Sequence, residues 1–258
     1  MKVICRYILQ YYLKTITKLV LLVHRPLVVA IAGSANKAFF KKKIKEVLRL
    51  EGLAVRSNPK NFNTLIGLPL AILDLPSGYH SYKDWLPIIL QSPLALWQRN
   101  FPKVLVLELG VSDPGEMKKL LAIVKPKIAV VTGITQRYLE AFDDVDELAG
   151  EYEYLVKKVG KKGLVVLNYD NARLREIVRR AVARVKFFSL YSDCPESIKS
   201  KSFWRGKELG KGELGEIVRI IHDGVDEQQE LNRFGQHHIQ ALLASLIVKE
   251  EILKQKNV

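Results

Sequence analysis

The chain has 258 residues, of which 48% are hydrophobic, and it carries a formal net charge of +14. That apolar content excludes an intrinsically disordered chain and is enough for one large domain or two small ones. The two cysteines, Cys5 and Cys194, match no metal-binding or redox spacing, so we expect ordinary thiols in a reducing compartment.

The positive charge is concentrated in the first quarter of the chain. Residues 1–60 contain 13 lysines and arginines but only two acidic residues, Glu46 and Glu51. This asymmetry favours an anionic partner, namely a membrane surface, a nucleotide or a nucleic acid, although a solvated basic face gives the same pattern. No nucleic-acid-binding motif with interleaved aromatic residues is visible, so nucleic acid ranks low among these partners.

Residues 2–24 are predicted to form an amphipathic helix. Polar side chains recur at every fourth position and make one stripe along a helix: Lys2, Arg6, Gln10, Lys14 and Lys18. The longest uncharged run is too short to span a bilayer, and no small-residue cleavage site follows it. Two interpretations remain open. The helix lies in a membrane interface, giving peripheral contact through residues 1–24, or it packs on its own domain or on a partner.

The next segment, a strand over 27–32 followed by a tight turn, has the layout of a phosphate-binding P-loop. The candidate nucleotide-binding residues of this turn are Gly33, Ser34, Asn36 and Lys37. Asn36 stands where a glycine is expected, a change that asparagine tolerates because it adopts positive φ. Ala38 stands where Ser or Thr is expected and has no hydroxyl to offer to Mg²⁺.

Continuous apolar runs then alternate with helical patterns. We predict strands at 27–32, 103–108, 128–132, 163–167, 185–190 and 216–221. We predict helices at 37–50, 65–73, 83–98, 115–124, 145–158, 171–182 and 235–254. Continuously apolar strands indicate a parallel sheet that is buried on both faces. The predicted fold class is α/β, with a doubly wound, mostly parallel sheet over 26–258 and a separate basic amphipathic helix over 1–25.

Polar residues follow several of these strands. Ligands of open α/β sheets bind at the carboxyl ends of the strands. We therefore expect Lys37, Glu108, the Thr132-Gly133 turn and Asn168 to converge on one site. Two of these residues have a simpler explanation as well. Lys37 belongs to a run of lysines, and Glu108 could pair with one of them.

Six short segments, in order, resemble the central ATP-binding domain of the Mur ligase family, most of all the branch that adds D-alanyl-D-alanine to the UDP-muramoyl tripeptide. They are Gly33–Lys37, 61–70, 107–110 with 114–116, 130–134, 167–171 and 235–238. Mur ligases are cytoplasmic enzymes of peptidoglycan synthesis, in which ATP phosphorylates a carboxylate and an amine then attacks the acyl phosphate. Such a reaction depends on positioning and on charge neutralisation by Mg²⁺.

The resemblance implies a role for each site residue. Lys37 would contact the β- and γ-phosphates of ATP, and Glu108 would bind Mg²⁺. Asn61 and Asn63 would lie near the nucleotide and substrate cleft, although they could simply cap a turn. The two remaining candidates are Asn168, which would line the adenine pocket, and His237, which would lie on the nucleotide side at the start of the last helix.

The chain also departs from the family pattern. Tyr138 stands at the position of a metal-binding histidine and Tyr152 at that of a carbamylated lysine, and tyrosine is a poor Mg²⁺ ligand. Phe39 replaces a small polar residue. The asparagines expected in the last helix are replaced by His238 and Ala241.

The domain organisation departs as well. A single helix precedes the strand at 27–32 and the chain ends directly after the last predicted helix, so we expect neither of the family's two outer domains.

We therefore expect a Mur-ligase-like protein with impaired catalysis. Residual ATP binding or a scaffold role beside the peptidoglycan-precursor machinery would remain, while Mg²⁺ binding is in doubt. The implied location is the cytoplasm, extending to peripheral contact with the inner face of the membrane. Two alternatives stay open: an active ATP-dependent ligase whose missing domains are supplied in trans, and a membrane-interface binding module.

Overall fold

The computed structural model describes residues 3–78, 82–136, 141–213 and 215–256. Tyr138 lies outside these residues. The helices are α1 (Val3–His24), α2 (Lys37–Leu50), α3 (Gly67–Leu73), α4 (Tyr82–Gln91), α5 (Glu116–Leu121), α6 (Val145–Lys158), α7 (Ala172–Ile177) and α8 (Gln236–Lys256). The strands are β1 (Leu27–Ala32), β2 (Val55–Ser57), β3 (Val104–Glu108), β4 (Ile128–Val131), β5 (Leu164–Asn168), β6 (Arg184–Ser189), β7 (Phe203–Lys211), β8 (Glu216–His222) and β9 (Val225–Leu231).

The strands form one sheet in the order β2-β3-β1-β4-β5-β6-β7-β8-β9. The pairs from β2 to β7 are parallel, and the β7–β8 and β8–β9 pairs are antiparallel. This confirms the predicted doubly wound, mostly parallel α/β fold. It also places the carboxyl ends of β3, β1, β4 and β5 side by side.

The apolar strands divide their side chains between two cores. In β1, Val28, Ala30 and Ala32 face one core, and Val29 and Ile31 face the other, as the period of two in a strand requires. The second core contains α2 and α8. Three α2 side chains, Phe40, Ile44 and Leu48, are fully buried in it. Each stabilises the fold by about 1.5–3 kcal/mol, so the start of α2 is held firmly against the sheet.

Several predicted elements differ from the structure at their ends. The predicted helix 83–98 is an α-helix only to Gln91, and a 3₁₀ helix continues from Ser92 to Trp97. Pro93 lies at the start of that 3₁₀ helix, and its ring has no N–H for an α-helical bond. Likewise, the predicted helix 171–182 is α-helical only over α7 and ends in a 3₁₀ turn. Strands β2, β7 and β9 lack long apolar runs and were not predicted.

Helix α1 packs on the rest of the fold through one face. Leu9, Leu13 and Val20 are buried. The Tyr12 hydroxyl donates to the Ile89 carbonyl at 2.9 Å, and the His24 ring stacks on Phe101 with centroids 4.3 Å apart. The predicted helix therefore forms. Its buried face packs on the rest of the fold, as one of the two interpretations predicted. Within the described ranges, no helix combines the length and apolarity needed to cross a membrane.

Candidate functional site

The P-loop-like turn joins β1 to α2 in a conformation that depends on two residues. Gly33 has φ of 131°, and a Cβ atom at this position would lie 2.3 Å from Thr132 Oγ1. Asn36 precedes α2 in the left-handed region, with φ of 65°. Asparagine is one of the few side chains that enter this region readily. The turn therefore keeps its bend although a glycine is missing.

Hydrogen bonds attach this turn to the end of β4. The Ser34 amide donates to the Gly133 carbonyl at 3.0 Å, and the Ser34 hydroxyl accepts from the Thr135 amide at 2.7 Å. The Thr132 hydroxyl donates to the Ala35 carbonyl at 2.6 Å. Both hydroxyl groups thus hold the turn in place.

Lys37 is the first residue of α2, and its ammonium group folds back over the turn. Nζ donates to the Gly33 carbonyl at 2.7 Å. Burial lowers the pKa of Lys37, and the nearby charge of Glu108 partly offsets that effect by raising it. The lysine therefore lies across the turn with its charge close to the carboxylate at the end of β3.

Glu108 ends β3, and both of its carboxylate oxygens have partners. Oε2 lies 3.1 Å from Lys41 Nζ, with both side chains largely buried. Oε1 accepts a hydrogen bond of 3.1 Å from Asn63 Nδ2. The sequence left open whether Glu108 pairs with a lysine, and the structure pairs it with Lys41.

The backbone of Glu108 is fixed by a residue that the sequence analysis missed. Asn58 is 2% exposed, its Oδ1 accepts from the Glu108 amide at 2.9 Å, and its Nδ2 donates to the Glu108 carbonyl at 2.9 Å. The same amide group also donates to the Phe62 carbonyl at 3.0 Å. The only signal in the sequence was a polar residue directly followed by proline, Asn58-Pro59. Asn58 thus links the β3 end to the segment that carries Asn63.

The other predicted asparagines have different surroundings. Asn168, at the end of β5, donates to the Thr132 carbonyl at 3.2 Å, and its Oδ1 accepts from the Asp170 amide. Its amide therefore joins two strand ends. Asn61 is exposed in a turn with φ of 66° and lines a separate cavity of about 450 Å³ together with Trp85. The structure brings Lys37, Glu108, Asn63, Asn168 and the Thr132 turn together, and Asn61 lies to one side.

The start of α8 contacts α2 through aromatic rings. The Phe39 ring lies 4.4 Å from the His237 ring and 5.0 Å from the His238 ring, measured between centroids. Burial, followed by the charges of His237 and Arg233, lowers the pKa of His238. A cleft of about 350 Å³ adjoins these rings and is lined by Phe39, Lys42, Lys43, Arg233 and His238 among others. The ring of Phe39 therefore lies against the start of α8 while 41% of the residue stays exposed to the cleft.

The donors at this site do not fit Mg²⁺ as a family ligase would bind it. The side chain of Ala38 has no oxygen, and the carboxylate of Glu108 is already paired. Tyr152 is 2% exposed inside the apolar core, where burial raises the pKa of its phenol and disfavours the anion. Among the described residues, no three His, Cys, Asp or Glu side chains gather as metal ligands would.

Comparisons with known proteins identify the family. Residues 85–249, well over half of the chain, match the Mur ligase middle domain. The UDP-N-acetylmuramoyl-tripeptide–D-alanyl-D-alanine ligase of Mycobacterium leprae is 27% identical over 226 residues, covering 86% of this chain and 39% of that protein. The ligase of the same name from Borreliella burgdorferi is 31% identical over 182 residues, covering 69% of this chain and 33% of that protein.

Solved structures of low sequence identity share the fold. MurF from Acinetobacter baumannii superposes with a TM-score of 0.73 at 16% identity, covering 94% of this chain and 47% of that one. MurF ligase from Thermotoga maritima in complex with ADP superposes with a TM-score of 0.69 at 20% identity, covering 92% of this chain and 49% of that one. This chain thus spans between a third and a half of the length of these relatives. The resemblance predicted from the six short segments is confirmed, and the chain belongs to the Mur ligase family, whose middle domain it contains.

Proposed function

We propose that this protein, which contains a Mur ligase middle domain, has no ligase turnover. It would retain weak, Mg²⁺-independent nucleotide binding and serve as a scaffold beside the cytoplasmic peptidoglycan-precursor machinery. The observation that carries the proposal is that both carboxylate oxygens of Glu108 already have partners. The carboxylate that would bind Mg²⁺ is held by Lys41 Nζ and Asn63 Nδ2, each at 3.1 Å. A bound cation would have to displace the lysine and would find no hydroxyl ligand at Ala38.

The substituted residues also support impaired catalysis. Ala241, at a position where the family has asparagine, is 1% exposed in the core beneath α8. Tyr152 is buried in the opposite core. Both side chains now contribute to packing, whereas the corresponding family residues would contact ligand. Phosphoryl transfer depends almost entirely on positioned charges, so losing several of them removes the transition-state stabilisation.

Residual nucleotide binding is supported by the turn itself. The start of a helix with a lysine beside it favours a phosphate group, through its free backbone N–H groups and its dipole. Lys37 would have to exchange its bond to the Gly33 carbonyl for one to phosphate. This exchange and the ring of Phe39 make the expected affinity weak.

Calorimetry with ATP tests the proposal. We expect weak binding to the full chain that is unchanged by Mg²⁺, lost in Lys37→Ala, and kept in the exposed-lysine control Lys161→Ala. The triple variant Asn36→Gly/Ala38→Thr/Phe39→Thr, which restores the family residues, should bind more tightly and gain dependence on Mg²⁺. Release of ADP by the unmodified chain, supplied with UDP-muramoyl tripeptide and D-alanyl-D-alanine, would overturn the proposal.

A second candidate is an active ligase whose remaining parts come from another chain. One observation favours it: the turn keeps the P-loop bend through Gly33 and Asn36. Mixing the chain with the missing segments of an active relative distinguishes the candidates. Restored ligation that depends on Lys37 would favour the trans-acting ligase, and continued inactivity would favour the scaffold.

A further inference from the structure

A second surface, centred on helix α1, carries a separate inference. Helix α1 buries one face on the domain and leaves a second apolar face in solvent. The exposed side chains recur at helical spacing and include Ile4, Ile8, Tyr11, Leu19 and Leu22, each 44% to 74% exposed. Contiguous exposed apolar surface of this kind indicates contact with a membrane or a partner.

The segment beside α1 extends this apolar surface. The 3₁₀ helix after α4 contacts α1 through the bond between the His24 ring and the Ala95 carbonyl, at 2.8 Å. Next to Ala95, Leu94 is 64% exposed and Trp97 is 73% exposed. Tyrosine and tryptophan rings with one polar edge are typical of the boundary between lipid headgroups and acyl chains.

On its other side, α1 borders a groove with a basic rim. The groove, of about 390 Å³, is lined by apolar residues such as Leu21, Leu22 and Ile123, and by Lys14, Lys18 and Lys125. None of its lining residues is acidic, and no acidic residue occurs before Glu46 in the chain. Lysines at the edge of an apolar surface can bury their stems and place their ammonium groups at the level of phosphates.

We propose that this face, formed by α1, the 3₁₀ helix and the groove, binds the surface of an anionic phospholipid bilayer. The apolar side chains would enter the boundary between headgroups and acyl chains, and the three lysines would contact lipid phosphates. Charge complementarity selects this occupant, because the face offers cations and apolar area but no acidic groups for pairing with a basic protein partner. The inference does not depend on the nucleotide chemistry of the other site.

Vesicle flotation of the full chain without nucleotide tests this inference. We expect binding to vesicles containing phosphatidylglycerol, weaker binding to phosphatidylcholine alone, and loss of binding at high salt. Lys14→Gln/Lys18→Gln/Lys125→Gln should weaken binding by about tenfold or more, from the contribution of each lysine near an anionic surface. The matched control Lys161→Gln/Lys162→Gln/Lys199→Gln removes the same charge from exposed positions elsewhere and should retain binding.

The apolar contribution is tested by Tyr11→Ser/Leu22→Ser, with Leu50→Ser/Val182→Ser as the control on other exposed sites. Circular dichroism during thermal unfolding establishes that every variant is folded. Equal binding of the lysine variant and its control, or no binding to either vesicle type, overturns the proposal. So does a concentration-dependent dimer that is abolished by Tyr11→Ser/Leu22→Ser while vesicle binding is absent, since that result makes the face a protein interface.

Discussion

The turn before α2 and the first residues of α2 itself are neighbours, yet they differ in what they retain of a phosphate site. The turn keeps its bend and its bonds to β4, through Gly33, Ser34 and Thr132. On α2, the side chains of Ala38 and Phe39 carry no polar group that could face a ligand. The turn is also part of the folded core, so its residues are needed for stability. Side chains that face only a ligand carry no such requirement and can be replaced at little cost.

The largest effect is expected from placing a lysine in the core, at the position where the resemblance implies a lysine. Tyr152→Lys places a charge where the side chain is 2% exposed among apolar residues. We expect the free energy of unfolding to fall by about 4 kcal/mol, because an unpaired buried charge is strongly disfavoured. Urea denaturation measures the loss. A Tyr152→Phe control should stay close to the original stability, and a fully stable Tyr152→Lys protein would mean that this position still tolerates a catalytic group.

Adding a single methyl group to the turn should lower the stability of the protein nearly as much. Gly33→Ala places a Cβ 2.3 Å from Thr132 Oγ1 at a residue with φ of 131°. We expect a loss of about 3 kcal/mol from the combined overlap and backbone strain. Gly115→Ala is the matched control, since its φ is 79° but nothing lies within 4 Å. It should lose about 1 kcal/mol, so equal losses in the two variants would show that the contact with Thr132 is unimportant.

Substituting Asn58 tests whether the hydrogen bonds to the Glu108 backbone hold this residue in position. Asn58→Ala removes both bonds to the Glu108 backbone and leaves a buried N–H without its partner. We expect a loss of about 2 kcal/mol in urea denaturation. Asn63→Ala, which removes one bond to the carboxylate, should cost about 1 kcal/mol. If Asn63→Ala proved the more damaging, the carboxylate would be positioned by its side-chain partners instead.

The smallest effect is expected from Phe39→Ser, and it concerns the pH dependence of stability. Phe39→Ser should raise the lowered pKa of His238 towards its ordinary value of 6.5, because solvent replaces the ring. In the original chain His238 binds a proton more readily in the unfolded state than in the folded state. The free energy of unfolding therefore decreases as pH falls below about 6.5. The variant should lose less stability between pH 7 and pH 5. NMR titration of the His238 ring measures the pKa directly, and an unchanged value would contradict the role of Phe39.

The sequence predicted those parts of the molecule that depend on local pattern. β1, α2 and α6 have the predicted bounds because their apolar periodicity is strong, and in α6 the Asp144 side chain caps the helix by accepting from the Asp146 and Glu147 amides. The site residues at the strand ends could be named for the same reason, since parallel strands place their carboxyl ends together. β9 could not be predicted, because six of its seven residues are exposed and its pairing with β8 alone makes it a strand.

The sequence by itself therefore determined the fold class, the family and several of the residues that meet at the end of the sheet. Only the tertiary structure decided what those residues contact: that Lys41 pairs with Glu108, that Asn58 holds its backbone, and that the Phe39 ring contacts the two histidines of α8 in tilted and T-shaped arrangements. These contacts join residues that are in direct contact in space but distant along the chain. Local propensity carries no information about such contacts. Which face of α1 is buried was decided in the same way, because both of its faces are apolar and only packing on the domain distinguishes them.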